Sequence, residues 1–421
     1  MNQYKKYKDS KVEWIGEIPE HWGLKKLKYL VLGKLEYGAN EPAEFEIESD
    51  PRYIRITDFG ENGKLREDTF KSLPPKKANE YLLKNGDILF ARSGATVGKT
   101  FQFKDYKGSA CYAGYLIKAT PDDRNILSDF LYFYTKSAAY ENWKNSIFNQ
   151  STIQNIGADK YSVLEIPIPQ LKEQISINQY LDDKTAKMDK LIDYKQQLIE
   201  LLKEERTAII NQAVTKGIDP KAKLKPSGIE WLGDIPDHWI IKKVKYLLDC
   251  FDYMRIPLNA DQRGGGEKIY DYYGASGVID KVTNYLFDGD YILIGEDGAN
   301  LLTRSTALAY KATGKFWVNN HAHILKPKDG NIDYFTNLLE TINYSIWVTG
   351  SAQPKLTADN LMNIPICDPP IEEQNLITNK IKHDTQAINY TISRVEKEID
   401  LIKEYRASLI SEVVTGKIKV I

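Results

Sequence analysis

The chain has 421 residues, 42% of them hydrophobic and 11% aromatic, which is too long for one ordinary core and too apolar for a disordered polymer, so two or more globular domains are expected. Basic and acidic side chains balance at 57 against 58, a formal net charge of −1, so a nucleic-acid partner has to be argued from local patches and not from overall charge. The three cysteines, Cys111, Cys250 and Cys367, are far apart and form no Cys-x-x-Cys, which excludes a disulfide framework and a zinc module and fits a reducing cytoplasm.

In chain order, residues 1–10 are polar and lysine-rich with no apolar run behind them, so no secretory signal is expected there. No stretch is long and apolar enough to span a bilayer, so a cytoplasmic protein without membrane contact is expected. Residues 13–22 read Glu-Trp-Ile-Gly-Glu-Ile-Pro-Glu-His-Trp and return 217 residues on (13 to 230) as Glu-Trp-Leu-Gly-Asp-Ile-Pro-Asp-His-Trp. Lys25-Lys26-Leu27-Lys28-Tyr29-Leu30 is matched in the same way by Lys242-Lys243-Val244-Lys245-Tyr246-Leu247. Later the repeat resumes about 200 residues apart: Ile166-Pro167-Ile168 faces Ile364-Pro365-Ile366, Glu173-Gln174 faces Glu373-Gln374, and Arg206 faces Arg406. Each half thus has matching ends and a middle that differs in length and sequence, the pattern of one scaffold used twice with two working surfaces.

Both middles read as mixed α/β modules. Asn85-Gly86-Asp87 precedes the apolar run Ile88–Ala91, and Asp288-Gly289-Asp290 precedes Tyr291–Ile294, which predicts a tight turn feeding a buried strand. Further apolar runs lie at Tyr115–Ile117 and Ala322–Leu325, and Asp129–Tyr140 and Asp333–Ile342 have the spacing of short amphipathic helices.

Each half ends in a long predicted helix, entered through Pro169 or Pro370 with Glu173 or Glu372 and Glu373 in the first turn, where unpaired amides and the positive dipole end favour proline and acids. Leu181, Met188, Lys195, Leu202 and Ile209 are seven apart, and Ile381, Ile388, Val395, Ile402 and Leu409 follow 200 residues later. This heptad stripe predicts two helices of about 40 residues, roughly 60 Å each, packed on one another. Lys195 interrupts the stripe and is expected to snorkel to solvent.

The doubled Glu-Trp segment, the Leu83–Thr100 stretch, the doubled entry into a long helix and the closing Arg206–Gly217 and Arg406–Gly416 segments together closely resemble the specificity subunit of type I restriction-modification systems. The resemblance covers essentially the whole chain. It implies an α+β fold of two mixed α/β target-recognition domains separated by two long antiparallel helices, a pseudo-twofold tandem duplication. The domains are expected at 1–168 and 217–368 and the spacer helices at 169–216 and 369–421. It further implies a non-catalytic subunit of a restriction endonuclease and adenine methyltransferase complex, binding a bipartite site in double-stranded DNA. Two methyltransferase subunits would dock on it, and a restriction and translocase subunit would join through the complex.

Within that frame Arg92, Ser93, Lys99 and Thr100 are the first candidate DNA contacts, since positive and hydroxyl side chains suit phosphates and base edges. The stretch resembles a phosphate-binding loop, but Ser93 stands where a glycine is required and Gly94 is one position too close to Gly98, so nucleotide binding is disfavoured. Gly295-Glu296-Asp297-Gly298 occupies the matching place in the second half, and Asp297 can accept from cytosine there. A second shared loop supplies Gln150, Ser151 and Gln154 in the first half and Gln353 and Lys355 in the second, and Arg304, Asn319 and Asn320 are further polar candidates. Any of these could equally be ordinary turn residues. His321 and His323 form a His-x-His pair with no cysteine or carboxylate nearby in sequence, so no metal site is expected. Trp14, Trp22, Trp231, Trp239, His21 and His238 recur in both halves, which argues for packing. Asp368-Pro369-Pro370 reads as a helix lead-in and not as the acidic loop of a methyltransferase. No cofactor and no catalytic constellation is expected, which disfavours a stand-alone DNA-modifying enzyme; a protein-binding scaffold with two heads is the other alternative.

Overall fold

The computed structural model describes residues 3–420 except 61–62, 95, 149–154, 260, 264–266 and 351–352. The chain divides into two compact units, unit 1 of Met1–Gln196 with Glu396–Ile421 and unit 2 of Gln197–Val395.

Unit 1 is built on a four-stranded antiparallel sheet in the order Glu36–Tyr37, Leu116–Ala119, Ile88–Ala91, Thr100–Gln102. Unit 2 repeats that order with Leu248–Cys250, Ala322–Pro327, Tyr291–Gly295, Ala309–Ala312, again antiparallel throughout. The expected turns precede the central strands. Gly86 has φ +94° and Gly289 φ +121°, backbone that a Cβ would strain. All four residues of Ile88–Ala91 are buried, as an unbroken apolar run requires when both faces are covered.

A second, two-stranded element ties the ends of each middle together. Gly23–Lys26 pairs with Glu165–Ile168, and Ile240–Lys243 pairs with Pro365–Asp368. Its register corrects one expectation. Ile166 sits opposite Lys25, and Ile366 opposite Lys242, so Ile166 corresponds to Ile366 and the two Ile-Pro-Ile triplets are offset by two residues. The side-chain period of two in a strand hides such a slip, because the same face stays apolar.

The middles differ in their second layer. Unit 1 carries a parallel pair, Arg52–Ile54 with Ala110–Tyr112, over a small core that includes Tyr53, Leu73 and Cys111. Unit 2 carries a four-stranded sheet in the order Gly277–Val282, Tyr270–Gly274, Lys315–Val318, Phe287–Asp288 over Phe287, Leu293 and Phe316. The helix expected at Asp129–Tyr140 is two helices, Ser128–Tyr134 and Ala138–Phe148. Ser137 makes the break: its hydroxyl donates to Tyr134 O at 2.7 Å and accepts from Tyr140 N at 3.3 Å, capping the second helix. In unit 2 the corresponding helix, Ile332–Thr341, is capped by Asn331, whose side chain accepts from the amides of Asp333 and Tyr334.

The long helices run Leu171–Lys216 and Ile371–Val414, 46 and 44 residues. Their shared Glu-Gln entry latches each helix to its unit. Gln174 accepts from Leu127 N at 2.8 Å and donates to Pro169 O at 3.0 Å; Gln374 accepts from Asn331 N at 2.9 Å and donates to Pro369 O at 3.0 Å. Glu173 lies 3.0 Å from His21 Nε2, and Glu373 lies 2.7 Å from His238 Nε2, so the repeated histidines pack against the helix starts. Trp22 and Trp239 are wholly buried beside them. The helix exits are as close: a Cβ on Gly416 would meet Pro19, and one on Gly217 would lie 3.3 Å from Trp239.

Within each unit the two long helices run antiparallel. In unit 1 Asp189 pairs with Arg406 at 3.2 Å, and Lys195 pairs with Glu398; in unit 2 Arg206 donates to Asn389 at 2.9 Å. The heptad residues form the seam. Leu181 and Leu409 pack into the core of unit 1 with Trp22, and Ile381, Ile377 and Ala213 into that of unit 2 with Trp239. Each leucine or isoleucine so buried contributes about 1.5–3 kcal/mol. Lys195 does not snorkel. It finds the Glu398 carboxylate across the seam, because a half-buried ammonium is held better by an opposite charge than by partial hydration.

Candidate nucleic-acid interface

In unit 1 the strand Ile88–Ala91 delivers Arg92 to a corner where three segments meet. The Arg92 amide donates to Tyr115 O at 2.9 Å, and its carbonyl accepts from Ile156 N at 2.9 Å. Ser93 bridges to Asn155 in antiparallel fashion. Arg92 is half-buried, and its guanidinium lies 5.0 Å from the Tyr37 ring centroid, where a cation is attracted to the ring face. From there the chain makes a closed excursion: Gly98 N donates to Ala91 O and Ala91 N to Lys99 O, with Gly94 at φ +86° and Gly98 at φ +82°. The excursion joins two antiparallel strands and does not lead into a helix, so its described residues do not form the amide array of a phosphate loop.

Lys99 is exposed and donates to Phe59 O at 3.1 Å. Thr100 is only 4% exposed; its hydroxyl lies 2.8 Å from that of Thr135 and accepts from Lys136. The structure thus puts Thr100 in the interior, because it opens a strand whose three residues are all buried. Gln150, Ser151 and Gln154 lie outside the described residues.

The corresponding corner of unit 2 is assembled by the same backbone bonds. Glu296 N donates to His321 O at 2.9 Å, and Glu296 O accepts from Leu356 N at 2.8 Å. Asp297 bridges to Lys355 as Ser93 does to Asn155. Asp297 lies 2.8 Å from His321 Nδ1, and Asn319, buried, accepts from His321 N at 2.8 Å. Lys355 pairs with Glu296 at 3.0 Å, so the corner brings together Asp297, Asn319 and Lys355 of the predicted set. Asn320 and Gln353 are exposed beside these segments. Arg304 is spent elsewhere. At φ +50° it turns its guanidinium onto the end of helix Ile332–Thr341, donating to Ile342 O at 2.8 Å and to the Glu340 carboxylate at 3.1 Å, where a cation complements the helix dipole.

Sequence reading missed the inner layer of this corner. Asp252 sits 2.5 Å from His323 Nδ1 and accepts from Ile324 N, while Arg255 bonds to Glu296 and lies 3.3 Å from Asp252. Contrary to expectation, carboxylates therefore do approach the His-x-His pair; Asp252, Glu296 and His323 could face one ion. The acids are already answered by Arg255 and Lys355, and His323 Nε2 is committed to Leu356 O at 2.8 Å. Burial works to raise both carboxyls, but hydrogen bonds from His323 to Asp252 and from Arg255 and Lys355 to Glu296 win and hold them below the ordinary carboxylate range. This is an ion-pair network that stiffens the corner.

The cysteines offer no nucleophile. Burial pushes the thiols of Cys111 and Cys367 up to about 12 and that of Cys250 up to about 11. Asp368-Pro369-Pro370 passes from strand Pro365–Asp368 into the second long helix, as a lead-in does. No helix among the described residues is long and apolar enough to cross a membrane.

Comparison with known proteins agrees with the duplication. The sequence matches the type I restriction modification DNA specificity domain twice, over residues 33–204 and 236–401, each match spanning a middle and most of a long helix. It is 24% identical over 368 residues to the type I restriction enzyme MjaVIII specificity subunit of Methanocaldococcus jannaschii, covering 81% of each chain. It is 31% identical over 155 residues, 37% of each chain, to a chain of Haemophilus influenzae named for the same kind of subunit. Among solved structures, one from a study of complex assembly in a type I restriction-modification system shares the fold, with a TM-score of 0.61 at 14% identity over 95% of this chain and 99% of that one. The chain belongs to the type I restriction-modification DNA specificity family, a non-catalytic subunit that specifies DNA sequence.

Proposed function

We propose that this chain reads a split, asymmetric site in double-stranded DNA, one part with each unit, on behalf of methyltransferase subunits that dock on its long helices. The observation that carries this reading is the pair of corners: identical backbone joints present Arg92 and Ser93 in one unit and Glu296 and Asp297 in the other. A positive corner suits guanine O6 and N7 or a phosphate, whereas a carboxylate accepts from the cytosine amino group and repels phosphates. Arg92, Ser93 and Lys99 are the contacts proposed for the first part, and Asp297, Asn320, Gln353 and Lys355 for the second. Gln150, Ser151 and Gln154, named from the sequence alone, belong to the same proposal. Residues 1–168 and 217–368 then act as recognition domains, with 169–216 and 369–421 as the spacer that fixes the gap between the two parts of the site. Two methyltransferase subunits suit a duplicated scaffold, and a restriction and translocase subunit joins through them.

The test is selection of bound duplexes from a random pool by the purified chain together with its methyltransferase partner. Enrichment of two short motifs at a fixed gap is expected. Retention without any enriched motif overturns the reading.

A further inference from the structure

Lys136 follows helix Ser128–Tyr134 in unit 1 and is half-buried. Its ammonium donates to Thr100 O and Oγ1, each at 2.9 Å, and lies 4.5 Å from the Tyr132 ring centroid. No carboxylate pairs with it among the described residues; Glu141 is taken by Lys144, and Asp189 by Arg406. Withdrawing an ammonium from water without a counter-ion is costly, and the cost is visible: burial, then the like charges of Lys99 and Arg406, push Lys136 down to about 8.

This lysine faces a solvent-open cavity of about 500 Å³ whose wall also carries Lys99, Lys403 and Arg406, with exposed Asp193 as the remaining acid. A neighbouring hollow of about 280 Å³ shares Lys99, Lys136 and Arg406. Unit 2 solves the same joint differently. There Glu340, on the helix packed over strand Ala309–Ala312, accepts from Leu308 N at 2.9 Å and Ala309 N at 2.7 Å and is neutralised by Arg304. The joint therefore needs no uncompensated charge, and unit 1 keeps one.

We propose that the cavity of unit 1 binds one phosphodiester of the DNA backbone through Lys136, Lys99 and Lys403, a grip that unit 2 lacks at the corresponding joint. The proposal rests on the DNA-reading role above and adds the residues that anchor the duplex. A backbone phosphate is favoured over other anions because Lys99 closes the same excursion that carries Arg92 and Ser93, so a duplex read at that corner presents its backbone next to the cavity. Two hydrogen bonds leave the third donor of the Lys136 ammonium for the ligand.

The experiment is a salt titration of the chain with its methyltransferase subunits, on one duplex carrying the selected site and one lacking it. Each lost phosphate contact lowers the slope of log K against log salt by about 0.9. Lys136→Met and Lys403→Ala are each expected to lower it by roughly that amount on both duplexes alike, since phosphate contacts carry no sequence information. Lys136→Arg is expected to retain the slope. Lys403 is exposed, so its variant tests the site without disturbing the core. Unchanged slopes in both variants overturn the proposal, as does loss confined to the selected duplex, or loss of methyltransferase binding at an unchanged slope, which would assign the cavity to a partner carboxylate. If the wild-type complex selects its site while the variants keep their slopes, only the phosphate site fails. If the wild type selects nothing, the DNA-reading role fails.

Discussion

At the corner of unit 1 the guanidinium of Arg92 leans on the Tyr37 ring, whereas at the corner of unit 2 Glu296 is locked between Arg255 and Lys355 over a second carboxylate and a buried histidine. Each corner hangs from the corresponding pair of backbone bonds, at the end of the corresponding strand of its own unit's sheet. Backbone joints that do not depend on side chains let the side chains change sign without loss of the fold. That separation of frame from surface is what the proposed reading of two different sequences requires.

If the frame is the same in both units, its largest anchors should be equivalent. Trp22→Ala and Trp239→Ala, each emptying a wholly buried site, should each cost about 3–5 kcal/mol by chemical denaturation. A large effect in one and a negligible one in the other would break the equivalence of the frames.

The corners should respond unequally. Arg255→Met leaves Asp252 and Glu296 short of a partner and should cost about 1–3 kcal/mol. Arg92→Met gives up a ring contact of about 0.5–1 kcal/mol and should change DNA affinity far more than stability. Equal destabilisation by the two would contradict the contrast drawn between them.

The seam offers a smaller contrast. Lys195→Glu and Glu398→Lys should each cost about 1 kcal/mol, and the double exchange should recover most of it, with the interaction read from the double-mutant cycle. Additive losses would place Lys195 in solvent after all.

The smallest effect is one of pH. Asp252 and Glu296 have folded values held below their ordinary 3.8 and 4.5. The unfolded state therefore takes up protons first as pH falls; their contribution is full above those ordinary values and is lost as pH drops through the lower folded ones. Glu296→Gln should flatten that acid limb of a stability profile, and an unaltered limb would remove Glu296 from it.

The frame was legible in the sequence because its residues are repeated: the Trp-x-Gly-x-Ile-Pro-x-His-Trp segment, the Glu-Gln entry and the heptads all recur, and the structure uses each for packing or latching. The strand register was not legible, since a two-residue slip keeps the same face apolar. Contacts that join distant segments were hidden as well. His323 meets Asp252 from 71 residues away, and Lys195 meets Glu398 from 203 away, and both depend on packing that no local pattern encodes. The burial of Thr100 was hidden for a simpler reason: its hydroxyl looks available in a polar run, but the strand it opens is buried on both faces.

The most direct test of two independent readers on one frame is to replace residues 31–150 with the corresponding stretch of a related subunit and to map the methylated sites made by the assembled complex. One part of the split site should change while the other part and the gap stay as they were. A change in both parts would contradict the account.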